Sequence, residues 1–264
     1  MVLRAYLPGR EWLSPERARC EFRTIELAQK AGIPAPEPLF LDADGEFLGH
    51  PAMILSYLPG KPLYVPSNVS VWAEDLARAM LAIHAVTPQQ YGLSWLPRFG
   101  RDELAGRLDV LREKVEAHEE DLAREVLAAL EANLDRIEWV APCLVHDDFW
   151  PGNTVWYRGR LTGVIDWADA LLGDPRVDLP QCCIDAYLAN DLETANAVRD
   201  AYLRLTPYPV PDQWYFDLLI GLRALLYYEH WLIAYHEVGL TRVTRERSRE
   251  RIHHFLRRAL IAAS

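Results

Sequence analysis

Apolar residues follow different patterns on the two sides of residue 60. Before it, short apolar runs separated by Pro and Gly predict strands. These strands are Met1–Leu7, Pro38–Asp42 and Pro51–Leu58. Between the first two, Ser14-Pro15-Glu16 indicates a helix start and Gly32 a helix end. The first sixty residues therefore predict three strands and one helix.

Helical periodicity dominates the rest of the chain. It covers Val71–Val86, Asp102–Trp139 and Asp178 to the C-terminus, and a group of strands interrupts it at Leu144–Asp166. This order predicts an α+β fold with a small β-containing lobe and hinge at 1–60 and a large, mostly helical lobe at 61–264. Ligand sites favour such a junction between lobes.

Charge and cysteine content narrow the classes of function. A net charge of −10 argues against nucleic acid as a partner, because phosphate binding needs a basic surface. The most apolar stretch, Phe216–Val238, carries several charged side chains, which excludes an ordinary membrane span. The four cysteines fit no metal or redox motif and no signal peptide is visible, so the cytoplasm is the expected location.

The group of strands carries the candidate chemistry. HDDFWPGN at 146–153 fits H-x-D-x-x-x-x-N, the catalytic-loop pattern of kinases, and GVIDW at 163–167 lies where a kinase has D-F-G. The segment between Asn153 and Asp166 has the length of one tight hairpin. A hairpin brings the end of its second strand beside the start of its first, so these two residues should converge on one point.

Phosphoryl transfer explains why these residue types are needed. Negative charge spreads over the γ-phosphoryl oxygens in the transition state, so the enzyme positions groups and supplies positive charge. Asn153 and Asp166 offer hard oxygen ligands suited to Mg²⁺. Asp148 is the predicted acceptor of the substrate hydroxyl's proton, and His146 is expected to brace the loop. Asp147 is the competing carboxylate, but only Asp148 has the required offset from Asn153.

These motifs resemble a known family. Leu144–Asn153 looks like the HGDLHPGN loop of aminoglycoside phosphotransferases and their relatives, which include homoserine, choline and fructosamine kinases. IDWADALLGDPRVDL at 165–179 resembles the family's IDF…GDP..DLA segment. The resemblance covers residue 1 to about 205 and implies a two-lobed, protein-kinase-like fold.

The resemblance also implies a nucleotide site. MILSYLPG at 53–60 looks like the hinge, where the Ser56 carbonyl and the Leu58 amide would contact adenine. Val2-Leu3-Arg4 resembles the small-lobe strand whose basic residue meets the nucleotide phosphates. Glu21 in the first helix is then placed to pair with Arg4.

Three departures from the family pattern carry expectations. Asp147 replaces the usual glycine, and Arg4 replaces the usual lysine with a planar, forked phosphate ligand. The family's two strands that cover the phosphates would precede Val2, so either the sequence starts late or the small lobe is truncated. A truncated lobe is expected to bind nucleotide weakly. The first strand would then be an exposed edge that Pro8 blunts only weakly, which makes a homo-oligomer through that edge one option.

Other conspicuous residues have structural interpretations. Asp174 and Asp178 are expected to cap helices and brace loops, and His84 to be a bonded core histidine. A group of aromatic residues and one histidine on a single predicted helix is expected either to pack in the core or to line an acceptor pocket. Its members are Tyr227, Tyr228, His230, Trp231 and Tyr235.

The sequence thus predicts a kinase that moves the γ-phosphoryl of ATP or GTP, with Mg²⁺, to a hydroxyl of a small molecule. An aminoglycoside is one option, because Arg101–Glu138 is acidic. The alternative is a catalytically impaired relative that binds nucleotide and has a binding or scaffold role. A protein kinase is disfavoured because no A-P-E-like segment follows Asp166.

Overall fold

The structure, a computed structural model, describes residues 1–6, 14–118 and 120–263. Leu7 and Pro8, the expected end of the first strand and the residue that would blunt it, lie outside these ranges. Within them, helices predominate over a few short strands, so the fold is α+β as predicted. One hydrophobic core contains residues from Tyr6 to Ala259 and so joins the small sheet to the helices. The division into 1–60 and 61–264 stays a prediction.

Three antiparallel strands form the small sheet, as the sequence predicts. The strands are β1 (Val2–Ala5), β2 (Pro38–Asp42) and β3 (Ala52–Leu55). Their order is β1-β3-β2, which leaves β1 at an edge among the described residues. Helix α1 (Pro15–Lys30) begins where the Ser14 hydroxyl accepts a backbone N–H at 3.2 Å. β3 is shorter than the predicted Pro51–Leu58 because Leu55 is the last residue that both neighbouring strands pair with.

Helices make up most of the remaining chain. They are α2 (Val69–His84), α3 (Pro88–Tyr91), α4 (Arg101–Ala117), α5 (Asp121–Asn133), α6 (Asp178–Ala189), α7 (Leu192–Leu205), α8 (Gln213–Glu237) and α9 (Arg245–Ala262). The predicted helical stretch Asp102–Trp139 is two helices, since His118 is extended, and its last residues leave the helix. Among the described helices, none has the length and apolarity needed to cross a bilayer.

The predicted group of strands contains one hairpin and part of a second sheet. The group contains most of β5 (Cys143–Val145), together with β6 (Thr154–Tyr157) and β7 (Arg160–Val164). Two further strands lie outside it, β4 (Arg98–Phe99) and β8 (Leu171–Gly173). β6 and β7 form the predicted antiparallel hairpin. β4, β8 and β5 form a three-stranded sheet in that order, and the sequence pattern did not indicate β4 or β8. The catalytic-loop motif connects this sheet to the hairpin.

A close backbone crossing fixes the segment after β3 against the hairpin. The Lys61 N–H donates to the Trp156 carbonyl at 3.2 Å, and the Trp156 N–H donates back at 2.9 Å. Gly60 has a φ of +128°, and a Cβ at this position would lie 2.3 Å from the Trp156 carbonyl oxygen. Only glycine fits here without a shift of the backbone.

We expect Gly60→Ala to lower the free energy of unfolding by about 1–3 kcal/mol, because it adds a clash to a strained φ. The matched control is Gly106→Ala in the middle of α4, where a Cβ meets no atom within 4 Å. This control should gain about 0.5–1 kcal/mol from helix propensity. Urea denaturation of both variants measures the two effects, and equal stabilities would contradict the role given to the crossing.

Candidate active site

His146 is the first residue of the loop between β5 and the hairpin. Its ring is fully buried, with centroids 5.9 Å from Phe149 and 4.8 Å from Trp167. Its Nε2 donates to the Ile165 carbonyl at 3.1 Å. Burial lowers the pKa of His146, which favours the neutral ring. These contacts fit the predicted bracing role.

Asp178, the first residue of α6, holds the start of the loop. Its carboxylate accepts the N–H of His146 at 3.0 Å and the N–H of Asp147 at 2.9 Å, and it bonds His84 Nε2 at 3.0 Å. Asp178 and His84 are both buried, and the other ring nitrogen of His84 lies 2.9 Å from the Tyr202 hydroxyl. The structural interpretation of Asp178 and His84 agrees with these bonds. Asp174 is also expected to be structural. It accepts the backbone N–H of Arg176 and caps a short 3₁₀ turn.

Asp147 has a backbone conformation that explains the family's usual glycine. Its φ is +58°, in the left-handed region that glycine adopts most easily and that Asp tolerates better than most residues. The left-handed turn separates the two carboxylates. Asp147 lies 3.4 Å from Arg107, whereas Asp148 contacts Asn153.

Asp148 and Asn153 are joined directly. The Asn153 side-chain amide donates to the Asp148 carboxylate at 2.8 Å and to the Asp148 carbonyl at 2.9 Å. A 3₁₀ turn at Pro151–Asn153 produces this approach across the five-residue offset. Both amide hydrogens are used within the loop, so Oδ1 is the Asn153 atom available to a metal.

The hairpin brings Asn153 and Asp166 to the same end, as predicted. The Ile165 N–H donates to the Asn153 carbonyl at 2.9 Å, and Asp166 follows directly with a φ of +62°. Asp166 Oδ1 accepts from Arg4 Nη2 at 2.6 Å, and Arg4 Nε lies 3.1 Å from Glu21. The predicted Arg4–Glu21 pair is therefore present, and Arg4 also bridges to the predicted metal ligand.

The side-chain oxygens of Asn153 and Asp166 suit Mg²⁺ better than a metal that takes all of its ligands from the protein. No cluster of three or more His, Cys, Asp or Glu side chains suited to a metal occurs in the described part of the chain. Mg²⁺ uses one or two protein oxygens and takes its other ligands from water and nucleotide phosphates. The Asn153 and Asp166 oxygens fit that requirement.

The predicted nucleotide residues line a single cavity of about 560 Å³. It includes Arg4, Glu21, Ser56 and Leu58 together with Asp166. The Ser56 N–H donates to a neighbouring carbonyl at 2.8 Å. No protein group in the described ranges bonds the Ser56 carbonyl or the Leu58 N–H, the two groups expected to contact adenine.

Asp148 lines a second cavity, of about 210 Å³. Gln181 and Asp185 of α6 lie there with Asp148, and the buried Gln181 Oε1 has no hydrogen-bond partner among the described residues. Burial raises the pKa of Asp148 well above its usual range, and the nearby Asp185 carboxylate raises it further. Burial also raises the pKa of Asp185 to about 6.

Sequence reasoning missed Gln181 and Asp185. Their signal was two polar residues, four apart, inside the otherwise apolar run of α6, a spacing that puts both on one helix face. Of the aromatic residues on α8, Trp231 and Tyr235 line the cavity of Asp148. Trp231 also lines a larger neighbouring cavity with Tyr227, so the pocket interpretation holds for these three.

Comparison with known proteins agrees with this geometry. The model of the phosphotransferase enzyme family matches residues 1–215. The chain belongs to the phosphotransferase enzyme family. A crystal structure of a thermostable mutant of aminoglycoside phosphotransferase APH(4)-Ia, in a ternary complex with ADP and hygromycin B, has a TM-score of 0.61 to this chain. It is 21% identical, with 90% of this chain and 82% of that chain covered, and it shows a kinase-like aminoglycoside phosphotransferase fold.

Two curated relatives of this chain are longer proteins. Acyl-CoA dehydrogenase family member 10 of Mus musculus is 23% identical over 81% of this chain and 21% of its own length. Homoserine kinase of Parvibaculum lavamentivorans is 28% identical over 67% of this chain and 56% of its own length. The chain thus spans about a fifth of the first relative and about half of the second.

Asp178→Ala should lower the free energy of unfolding by about 3–5 kcal/mol, because it leaves buried donors without an acceptor. Asp191→Ala is the control, since Asp191 caps α7 from an exposed position and its loss should cost about 1 kcal/mol. Denaturant unfolding of both variants measures the difference. A loss of about 1 kcal/mol in both would show that Asp178 is an ordinary helix cap.

Proposed function

We propose that this phosphotransferase moves the γ-phosphoryl group of ATP or GTP, with Mg²⁺, to a hydroxyl of a small molecule. The observation that carries the proposal is that the loop and the hairpin contribute carboxylates to two cavities. Asp166 lines the cavity that holds the predicted nucleotide residues, and Asp148 lines the other. The contact between Asn153 and Asp148 joins the predicted metal ligand to the predicted base.

Each site residue has a role in this proposal. Asp148 accepts the proton of the attacking hydroxyl, and Asn153 holds the Asp148 carboxylate in place. Asn153 Oδ1 and the Asp166 carboxylate hold Mg²⁺, which neutralises charge on the phosphate oxygens when bound. The Gln181 Oε1, which lacks a partner among the described residues, is placed to accept a hydrogen bond from the acceptor.

The small sheet and the segment after it would bind the nucleotide. The Ser56 carbonyl and the Leu58 N–H bind the adenine edge, and Arg4, oriented by Glu21, binds phosphate oxygens. This assigns nucleotide binding to residues 1–60 and the catalytic loop and acceptor site to 61–264. We place the reaction in the cytoplasm, in keeping with four cysteines that are free thiols.

A nucleotide-binding relative with impaired catalysis is the second candidate. The observation in its favour is the contact between Arg4 and Asp166, which occupies an oxygen that Mg²⁺ would need. Measuring nucleotide binding with and without Mg²⁺, together with transfer to a panel of aminoglycosides, macrolides, amino alcohols, hydroxy acids and sugars, separates the two. Binding without any transfer or hydrolysis would favour the second candidate.

Asp148→Asn should reduce transfer by about 10²–10⁴-fold while the fold and nucleotide binding stay nearly intact, because it removes the general base. Asp147→Asn is the matched control, since Asn also tolerates the left-handed φ of that position. Its loss of rate should be smaller. Phosphate transfer and nucleotide affinity are measured for both, and equal losses in rate would mean that the base is wrongly assigned.

The pH dependence of transfer should follow the protonation state of the Asp148 carboxylate. A carboxylate base works only when deprotonated, so kcat/KM should fall as the pH drops through the raised pKa of Asp148. Asp185→Asn removes a nearby negative charge, which lowers the pKa of Asp148 and should move this acid limb to lower pH.

Asp191→Asn is the control for this experiment, because it preserves a helix cap on another surface of the molecule. Its pH profile should match that of the unmodified protein. An acid limb that stays in place in Asp185→Asn, or that moves to higher pH, would contradict the assignment of Asp148.

A further inference from the structure

The larger cavity beside the catalytic loop has apolar walls. It has a volume of about 760 Å³, within the range of small-molecule sites, and it adjoins the cavity of Asp148 through Trp231. Its apolar lining includes Val110 and Leu111 of α4 and Leu219 and Ile220 of α8. These walls suit a hydrocarbon portion of a ligand and offer few groups to a polyhydroxylated one.

The carboxylates that line this cavity have protein partners, whereas one of its arginines has none among the described residues. Glu103 accepts a backbone N–H at 2.9 Å, Asp169 pairs with an arginine of α1, and Asp147 lies 3.4 Å from Arg107. Arg223, on α8, is half-buried and has no hydrogen bond or ion pair with any of the described residues. The carboxylates are therefore already engaged, and the available charge is positive.

Arg223 also lies near the catalytic carboxylates. Burial raises the pKa of Asp147, Asp148 and Asp185, and the positive charge of Arg223 opposes that rise in all three. None of the three carboxylates approaches Arg223 closely enough to form an ion pair. A partly desolvated guanidinium without a partner favours an oxyanion, which its forked donors can bind through two parallel hydrogen bonds.

We propose that the acceptor is an amphipathic hydroxylated oxyanion, with its anionic group on Arg223 and its carbon chain between the apolar walls of α4 and α8. This proposal rests on the proposed function and names its substrate class. The hydroxyl oxygen, beside Asp148, would attack the γ-phosphorus, and the new O–P bond would form as the bond from the γ-phosphorus to the nucleoside diphosphate breaks. The hydroxyl proton passes to Asp148, and the products are a phosphate ester and the nucleoside diphosphate.

A polycationic acceptor fits this cavity less well. Its ammonium groups would meet Arg223 and Arg107 in the same cavity, while the nearby carboxylates already have protein partners. The apolar residues would offer its hydroxyl groups no hydrogen bonds. The proposal therefore predicts discrimination by ligand charge at constant chain length.

The test uses calorimetric binding of octanoate, octyl phosphate, octylamine and octanol to the full chain without nucleotide. Octanoate or octyl phosphate should bind about tenfold to a hundredfold more tightly than octanol, as expected for a charge-assisted pair. Octylamine should bind no more tightly than octanol. The tighter of the two anions identifies the oxyanion as a carboxylate or a phosphate.

Variants connect this preference to one residue. Arg223→Met should remove the preference for the anions and leave octanol binding unchanged, whereas Arg223→Lys should restore part of it. Arg247→Met, an exposed arginine of α9, is the control and should bind all four probes as the unmodified protein does. Equal affinity for all four probes, tighter binding of octylamine, or unchanged anion binding in Arg223→Met would each overturn the proposal.

Transfer assays with ATP and a set of hydroxyoctanoates then separate this proposal from the proposed function. Binding of octanoate that depends on Arg223, without transfer to any acceptor, would contradict the phosphotransferase mechanism and leave the anion site in place. Transfer to other acceptors, without binding of either anion, would contradict the anion site and leave the mechanism in place.

Discussion

The buried carboxylate of Asp178 is the contact on which the catalytic loop depends. It accepts two consecutive backbone N–H groups of the loop and bonds a histidine of α2, so three segments meet at one side chain. Directly after these two N–H groups, the chain turns at Asp147, which adopts a left-handed conformation. That turn directs Asp147 toward Arg107 and Asp148 toward Asn153, which gives two adjacent carboxylates different surroundings.

The surroundings of Asp148 balance two opposing effects. Burial and Asp185 favour its protonated form, and Arg223 favours the carboxylate. A carboxylate with a raised pKa accepts a proton more readily. A smaller fraction of it is then deprotonated at low pH. The balance depends on residues of α6 and α8, so the packing of these two helices sets the basicity of a loop residue.

Local spacing determines what could be predicted from the sequence. The offset from Asp148 to Asn153 and the hairpin to Asp166 are properties of consecutive residues, and the structure reproduces both. β4 and β8 could not be predicted, because strands of two and three residues have no detectable period and pair across more than seventy positions. Arg223 was missed for a related reason, since its position depends on how α8 packs and not on a motif around it.

The bridge formed by Arg4 joins two parts of the molecule that line the same cavity. Arg4 belongs to an edge strand of the small sheet, and its guanidinium reaches Glu21 with one nitrogen and Asp166 with another. A lysine has a single ammonium nitrogen and could not present this fork to both carboxylates. Any cation that coordinates Asp166 Oδ1 competes with the guanidinium for that oxygen. In the proposed mechanism, a metal–nucleotide complex would therefore break the contact between the small sheet and the hairpin, while its phosphates would give Arg4 a new partner.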